Sequence, residues 1–273
     1  MNPLMASGGH RFELWHEWNS VHSYKVRIVL AEKGLPWADR RVELFKFEHS
    51  QPAYLAINPE GVVPTLVHDG RPLYDSSLIC LWLDEEFPEP ALQPKDAYAR
   101  LFVRRWLKYH DDLAHATVRD ASFQLLYKPH YSKMPLAELQ ALVMRHPNPA
   151  RRKKFLDAAN AEIDWAQLLA SARSSVTVAT RIDARLRMHG KAWLEGDAFS
   201  LADVAMAPFA ERIVNLGFRH VWDGLPAGAA WSDRLMARAS VQGSRPPKAF
   251  QLPVPGEDVL AELRRRLTDT DSQ

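Results

Sequence analysis

The sequence predicts a small α/β domain followed by a larger all-helical one. Three observations carry that prediction. Strand-like and helix-like segments alternate through roughly the first hundred residues. A proline-dense stretch, with Pro88, Pro90 and Pro94, lies between Glu86 and Asp96 and suits an exposed connector. Beyond it, every long apolar pattern has helical spacing.

The elements follow in order. Phe12 to Trp15 reads as a short strand. After a loop, Ser23 to Lys33 places Val26, Val29 and Leu30 at helical spacing, and Gly34 is a natural stop. Arg40 to Leu44 offers a second strand. Thr65 to His68, then Asp69-Gly70, then Arg71 to Tyr74 is a hairpin, because Asp-Gly suits a tight turn needing positive φ. Ser76 to Leu83 closes the domain as a helix, giving a compact α/β layer. Past the prolines, Tyr98 to Tyr127 reads as one long helix, and Pro129 to Pro149 as a broken insertion holding a short helix, Leu136 to Arg145. Phe155, Ala159, Ile163 and Ala166 mark a second long helix, which Val178, Ile182 and Leu186 either continue or neighbour. Ser200 to Asp203 has capping-box spacing, with Phe199 and Val204 placed as a hydrophobic staple. Gly243 to Gly256 is proline-rich and irregular, and a short charged helix follows.

Composition narrows the function classes. A hydrophobic fraction of 47% with 25% charged residues, over 273 residues, excludes a disordered chain, a collagen-like repeat and a bare coiled coil. The net charge of +2 gives no global reason to expect nucleic acid or an acidic membrane as partner. Cys80 is the single cysteine, which rules out intrachain disulfides and a cysteine-built zinc site and fits a reducing compartment. Met1 to Arg11 lacks the apolar core of a signal peptide, and no run approaches the ~18 apolar residues of a membrane span. A cytoplasmic, soluble protein is expected.

Three sites in the first domain bear on chemistry. Ser20 lies in a loop that opens a helix. A hydroxyl there is an ordinary cap worth about 1 kcal/mol, and together with the helix dipole it can also stabilise an anion. Pro64 sits at the mouth of a strand in Asn58-Pro59-Glu60-Gly61-Val62-Val63-Pro64-Thr65. A cis bond would turn the chain and leave the Val63 backbone to pair with an extended ligand. The general rate, about 5% cis, favours trans. Asp75-Ser76-Ser77 precedes the closing helix. These residues are ordinary caps, and equally an N–H, a hydroxyl and a carboxylate suited to one end of an amino acid zwitterion.

In this order the three sites resemble the glutathione transferase superfamily, and the resemblance runs over essentially the whole chain. It implies a thioredoxin-like glutathione-binding domain over residues 11–87, an all-α substrate-binding domain over 96–250, and a tail with a short helix over 251–273. Thioredoxins and glutaredoxins share the first fold but work through a cysteine motif that this loop lacks. Ser20 matches the serine of the phi, theta and zeta classes, which donates a hydrogen bond to the glutathione sulfur. Ser23 stands where some β-etherase relatives place theirs. The resemblance further implies that Val63, beside Pro64, pairs with the cysteinyl part of glutathione, and that Asp75 and Ser76 hold its γ-glutamyl end. His49 matches a histidine near the glycyl carboxylate, although Ser50 stands where those relatives have lysine. Trp18, Tyr109, His110 and Tyr127 are expected to face the second substrate.

The insertion with Met134-Pro135-Leu136 and His146-Pro147-Asn148-Pro149 looks most like bacterial β-etherases that cleave lignin-type aryl ethers. It also resembles the tetrachlorohydroquinone reductive dehalogenases, whose loop serine is followed by a cysteine. Val21 here counts against that reaction. The expectation is a homodimeric glutathione transferase of detoxification or aromatic compound catabolism. It would direct the glutathione thiol at an apolar, aromatic electrophile by conjugation or β-aryl ether cleavage. A non-catalytic binding protein of the same fold is the alternative. Asp111, Asp112 and His115 could share a helix face, but no further ligand is identifiable, so no metal is assigned.

Overall fold

The computed structural model describes residues 11–159 and 162–271. They divide into two compact units. Of the described residues, the first takes 11–91, 130–159 and 242–251; the second takes 92–129, 162–241 and 252–271.

The first unit is built on β1 (Phe12–His16), α1 (Val21–Glu32), β2 (Ala38–Arg41), α2 (Pro52–Leu55), β3 (Thr65–His68), β4 (Arg71–Tyr74) and α3 (Ser76–Glu86). The sheet order is β2-β1-β3-β4, with β1 and β2 parallel and the remaining pairs antiparallel. β2 starts at Ala38 rather than Arg40 because parallel pairing sets Leu14 beside Asp39 and Glu13 beside Ala38. Asp69 and Gly70 both adopt positive φ, 47° and 78°, as the hairpin turn demands. Leu14 and Leu66 of the sheet, Val26, Val29 and Leu30 of α1, and Ile79 and Leu83 of α3 are buried. α1 packs on α3. Cys80 of α3 is buried among them, where a thiol acts as a small apolar group. The buried Lys33 ammonium closes this unit, reaching Asp84 Oδ1 and Pro90 O at 2.6 Å each.

Beyond the prolines come α4 (Ala97–Tyr109), α5 (His115–Ser122) and α6 (Lys128–Tyr131), joined by π turns at His110–Ala114 and Phe123–Tyr127. The predicted long helix is thus present, with two wider turns inside it. Next are α7 (Leu136–Val143) and α8 (Pro149–Asp157), then α9 (Trp165–His189), α10 (Leu201–Asn215), α11 (Pro226–Ala237), α12 (Ala239–Gly243) and α13 (Glu257–Asp271). The apolar stripe through Phe155, Ala159, Ile163 and Ala166 does not form one helix. α8 ends at Asp157, and Asp164 starts α9 by accepting the Gln167 N–H at 3.0 Å. A capping carboxylate ends the periodicity there. Val178, Ile182 and Leu186 are buried along α9 itself.

In the second unit α4 packs on α10, α5 on α9, and α11 on both α9 and α10. The predicted capping box opens α10: Asp203 accepts the Ser200 N–H at 3.0 Å. The same carboxylate takes the Leu194 N–H at 3.0 Å and the Trp231 indole N–H at 2.8 Å. Burial pushes the Asp203 carboxyl up to about 6 against those donors. Among the described residues, no helix is long and apolar enough to cross a membrane.

By their contacts, two segments largely within the span 96–250 group with the first unit. The insertion 130–161 lays Tyr131 and Phe155 against Phe47, with ring centroids 5.8 and 4.9 Å away, and His146 against His49. The segment 242–251 carries Ser244 O and Phe250 O to the donors of Arg27 and Asn19. Aromatic burial for the first and buried carbonyl acceptors for the second override chain proximity.

Candidate active site

Strand register assembles the site. The C-terminal end of β1 pairs with the N-terminal end of β3, Trp15 opposite Thr65, and Thr65 in turn pairs with Tyr74 at the C-terminal end of β4. The loop after β1, the loop before β3 and the loop after β4 therefore emerge at one end of the sheet. These loops carry Ser20, Val63-Pro64 and Asp75-Ser76. His22, in the first turn of α1, closes the arrangement, its Nδ1 lying 3.3 Å from Ser76 Oγ. The N-termini of α1 and α3 thus meet, and both turn their positive dipole ends toward the same place.

Ser20 caps α1. Its backbone is extended (φ −71°, ψ 120°) and its Oγ accepts the Ser23 N–H at 3.2 Å. Capping uses an oxygen lone pair, so the hydroxyl proton remains to be donated elsewhere. No acidic residue occupies the first turn of α1. Ser20 is half-buried, whereas Ser23 is 0% exposed with Oγ sealed from solvent. Of the two serines, only Ser20 is reached by solvent.

The Val63 loop is held by side chains beneath it. Tyr54 donates its hydroxyl to Val62 O at 2.6 Å, and Asn58 Nδ2 reaches Val62 O at 2.9 Å and Thr65 Oγ1 at 3.1 Å. Burial raises the Tyr54 phenol well above its usual range, keeping it a donor. The Val63–Pro64 bond is cis, against the general rate. Among the described residues, the Val63 N–H and C=O pair with nothing. Gly61 turns the loop at φ 59°, and a Cβ there would lie 3.1 to 3.2 Å from Pro147 Cδ, His49 O and Leu55 Cδ2.

Asp75 is exposed at φ 69° and caps α3, its Oδ1 accepting from Ser77 N (2.9 Å) and Leu78 N (3.0 Å). Its second oxygen has no partner among the described residues. An L-residue held in this region costs about 1–3 kcal/mol, and such strain concentrates at ligand sites. Below, the buried Lys25 ammonium donates to Ser77 Oγ at 2.8 Å, tying α1 to α3.

Five expected residues fare differently. His49 is 4% exposed, stacked on Phe47 and edge-on to His146 at 5.4 Å. Burial, with the His146 and Arg151 charges, pushes its imidazole down to about 3. The ring that the resemblance sets near the glycyl carboxylate is thus buried and neutral. Trp18 packs into its own unit among His16, Trp37, Phe250 and the Arg27 guanidinium, the last 4.7 Å from its ring. Tyr109 and His110 flank the start of the first π turn of the helical unit, and Tyr127 ends the second. Such turns recur at functional sites. Tyr109 lies under the Arg181 guanidinium at 4.0 Å, and His110 Nδ1 meets Asp111 Oδ1 at 2.9 Å. Asp112 pairs with Lys108 at 2.7 Å.

Residues the sequence reading missed hold the Ser20 loop. Arg27, 1% exposed, donates to Glu17 O (3.3 Å), Trp18 O (2.8 Å) and Ser244 O (2.9 Å), and to His16 Nδ1 (3.1 Å). Burial holds His16 below the usual histidine range, so it stays neutral, accepting at Nδ1 and donating Nε2–H to Asp39 at 2.9 Å. Nothing in the local pattern of α1 distinguishes Arg27 from a surface arginine.

The family models for the glutathione S-transferase N-terminal and C-terminal domains match residues 17–91 and 141–239. Protein LigF of Sphingobium sp. strain SYK-6 is 28% identical over 229 residues, covering 81% of this chain and 88% of LigF. The crystal structure of that β-etherase superposes with a TM-score of 0.78 at 27% identity, over 86% of this chain and 98% of LigF. The maleylacetoacetate isomerase of Pseudomonas aeruginosa is 45% identical over 91 residues, 32% of this chain and 43% of the isomerase.

Proposed function

The chain belongs to the glutathione S-transferase family, and on that premise we propose that it activates the glutathione thiol through Ser20. The thiolate then attacks an apolar, aromatic electrophile, with β-aryl ether cleavage as the preferred reaction. The observation that carries this reading is the convergence of Ser20, Val63 and Ser76 at one end of the sheet.

Each residue has a distinct part. Val63 offers an N–H and C=O unpaired among the described residues to an extended peptide. Ser76 offers a hydroxyl and a first-turn N–H to a carboxylate, while the free Asp75 oxygen takes the adjacent ammonium. Ser20, its oxygen already accepting from Ser23, donates its proton to sulfur and favours thiolate over thiol. A free thiol titrates near ~8.5, and each unit of lowering is about 1.36 kcal/mol of preferential thiolate stabilisation. In ether cleavage the sulfur forms a bond to the carbon bearing the aryloxy group. The C–O bond breaks with its electron pair, and the aryloxide takes a proton from water. Proximity of thiolate and electrophile supplies most of the acceleration.

Similarity to the β-etherase LigF supports the ether over other electrophiles. The same reading takes the chain as a cytoplasmic homodimer in aromatic compound catabolism or detoxification. The test is Ser20→Ala at saturating glutathione against a panel of β-aryl ethers and haloaromatics. Loss of turnover together with a raised thiol pKa in the complex is expected. Unchanged turnover and thiol pKa would remove Ser20 from the chemistry, and turnover of haloaromatics alone would remove the ether.

A further inference from the structure

The loop in front of Ser20 is held by Arg27 of α1 and, through it and Asn19, by a segment more than two hundred residues later. The Glu17 and Trp18 carbonyls accept from Arg27, which also donates to Ser244 O at 2.9 Å. Asn19, immediately before the serine, sends its side-chain Nδ2 to Phe250 O at 2.6 Å. Its own N–H is taken by the Glu17 carboxylate, which faces Arg41 at 3.6 Å. The Phe250 ring lies parallel to Trp18, at 5° and 6.5 Å, with the Arg41 guanidinium 4.2 Å from its centroid. The segment 244–250, an irregular tail by its sequence, therefore lies along the loop that presents the hydroxyl.

We infer that Asn19 and Phe250 are positioning residues for Ser20: the strap 244–250, held by the Asn19 amide and stacked on Trp18, fixes where the Ser20 oxygen stands. This rests on the proposed role of Ser20. The physical reason is geometric. A hydroxyl stabilises a thiolate only within hydrogen-bond reach and in line with its proton, and a displacement of about 1 Å can cost up to about a hundredfold in rate. The turn from Glu17 to Ser20 is closed by one backbone hydrogen bond, Ser20 N to Glu17 O at 3.1 Å. Without the strap, the Asn19 side chain has lost its 2.6 Å acceptor, and Trp18 has lost the face it stacks on.

The experiment uses the full chain with Asn19→Ala, Asn19→Asp, Asn19→Gln and Phe250→Ala, and Ser20→Ala alongside. The readout is the pKa of bound glutathione, followed by thiolate ultraviolet absorbance, together with kcat and the glutathione KM. Asn19→Ala is expected to raise the bound thiol pKa by about one unit. Asn19→Asp, nearly isosteric but without the donor, also adds a negative charge and should raise it further, so the uncharged Asn19→Ala and Phe250→Ala carry the test. kcat should fall by about tenfold or more while KM stays within about twofold. Asn19→Gln, which keeps an amide donor, recovers part of the shift. Phe250→Ala moves the pKa the same way, and combining it with Asn19→Ala adds less than the sum, since both release one strap. A fold defect alone would lower the melting temperature without moving the thiol pKa. If folded Asn19→Ala and Phe250→Ala enzymes keep the wild-type thiol pKa while Ser20→Ala raises it, this inference falls and the Ser20 reading stands. If Ser20→Ala does not raise it, both fall.

Discussion

Replacing His49 with leucine should remove about half of the acid sensitivity that two buried histidines confer on the first unit. His49 is 4% exposed and His146 0%. His146 Nδ1 accepts the Asn148 N–H at 3.0 Å, which fixes its neutral form. His49 Nδ1 has no partner among the described residues, so a leucine there orphans nothing at that atom. Burial lowers His49 to about 3 and His146 to about 4, with the Arg151 charge acting on both and Arg152 on His146. In the unfolded chain both return to about 6.5. Between these limits the unfolded state binds more protons, so stability is full above about pH 6.5 and is lost as pH falls toward 4. At about pH 5.5 each histidine costs about 1.4 kcal/mol, and the pair about 3 kcal/mol, a sizeable part of an ordinary 5–15 kcal/mol domain. Urea unfolding at about pH 7.5 and about pH 5.5 reads this directly. The wild-type chain should lose about 1.4 kcal/mol more than His49→Leu on acidification. Equal losses in the two chains would show that His49 titrates normally when folded, and would refute the argument from burial.

Other substitutions separate capping from chemistry and local from distant effects. Ser20→Asp keeps a good cap at a helix N-terminus but supplies no proton and adds a negative charge. It should unfold no earlier than the wild type while raising the bound thiol pKa beyond the rise in Ser20→Ala, measured by absorbance and melting together. Gly61→Ala meets a positive φ and three atoms within 3.2 Å, one of them the His49 carbonyl oxygen. It should destabilise by about 1–3 kcal/mol and weaken glutathione binding by calorimetry, because Gly61 turns the loop that carries Val63. Asp203→Ala strands the buried Leu194 N–H and Trp231 indole N–H and dissolves the α10 capping box. A loss above about 2 kcal/mol is expected in thermal unfolding, with the bound thiol pKa unchanged.

What could be read from the chain alone was what residues a few places apart settle between themselves. Asp69-Gly70 names its turn, Ser20 and Asp75 cap the helices that follow them, and Ser200 with Asp203 closes a box within four positions. Those contacts are short in sequence, so spacing announces them, and the order of strands and helices follows. Resemblance then marks Ser20, Val63 and Ser76, and strand register brings them to one end of the sheet. Most of the remainder depends on partners more than eighty residues away. Pro147 and His146 close over Gly61 and His49, which leaves His49 a buried, neutral ring. Arg27 disappears into the interior because Ser244 and the loop carbonyls satisfy its donors there. Asn19 finds its acceptor 231 positions later. No periodicity or spacing encodes such meetings: burial is a property of the packed whole, and a guanidinium or imidazole acquires its role from the groups that surround it after folding.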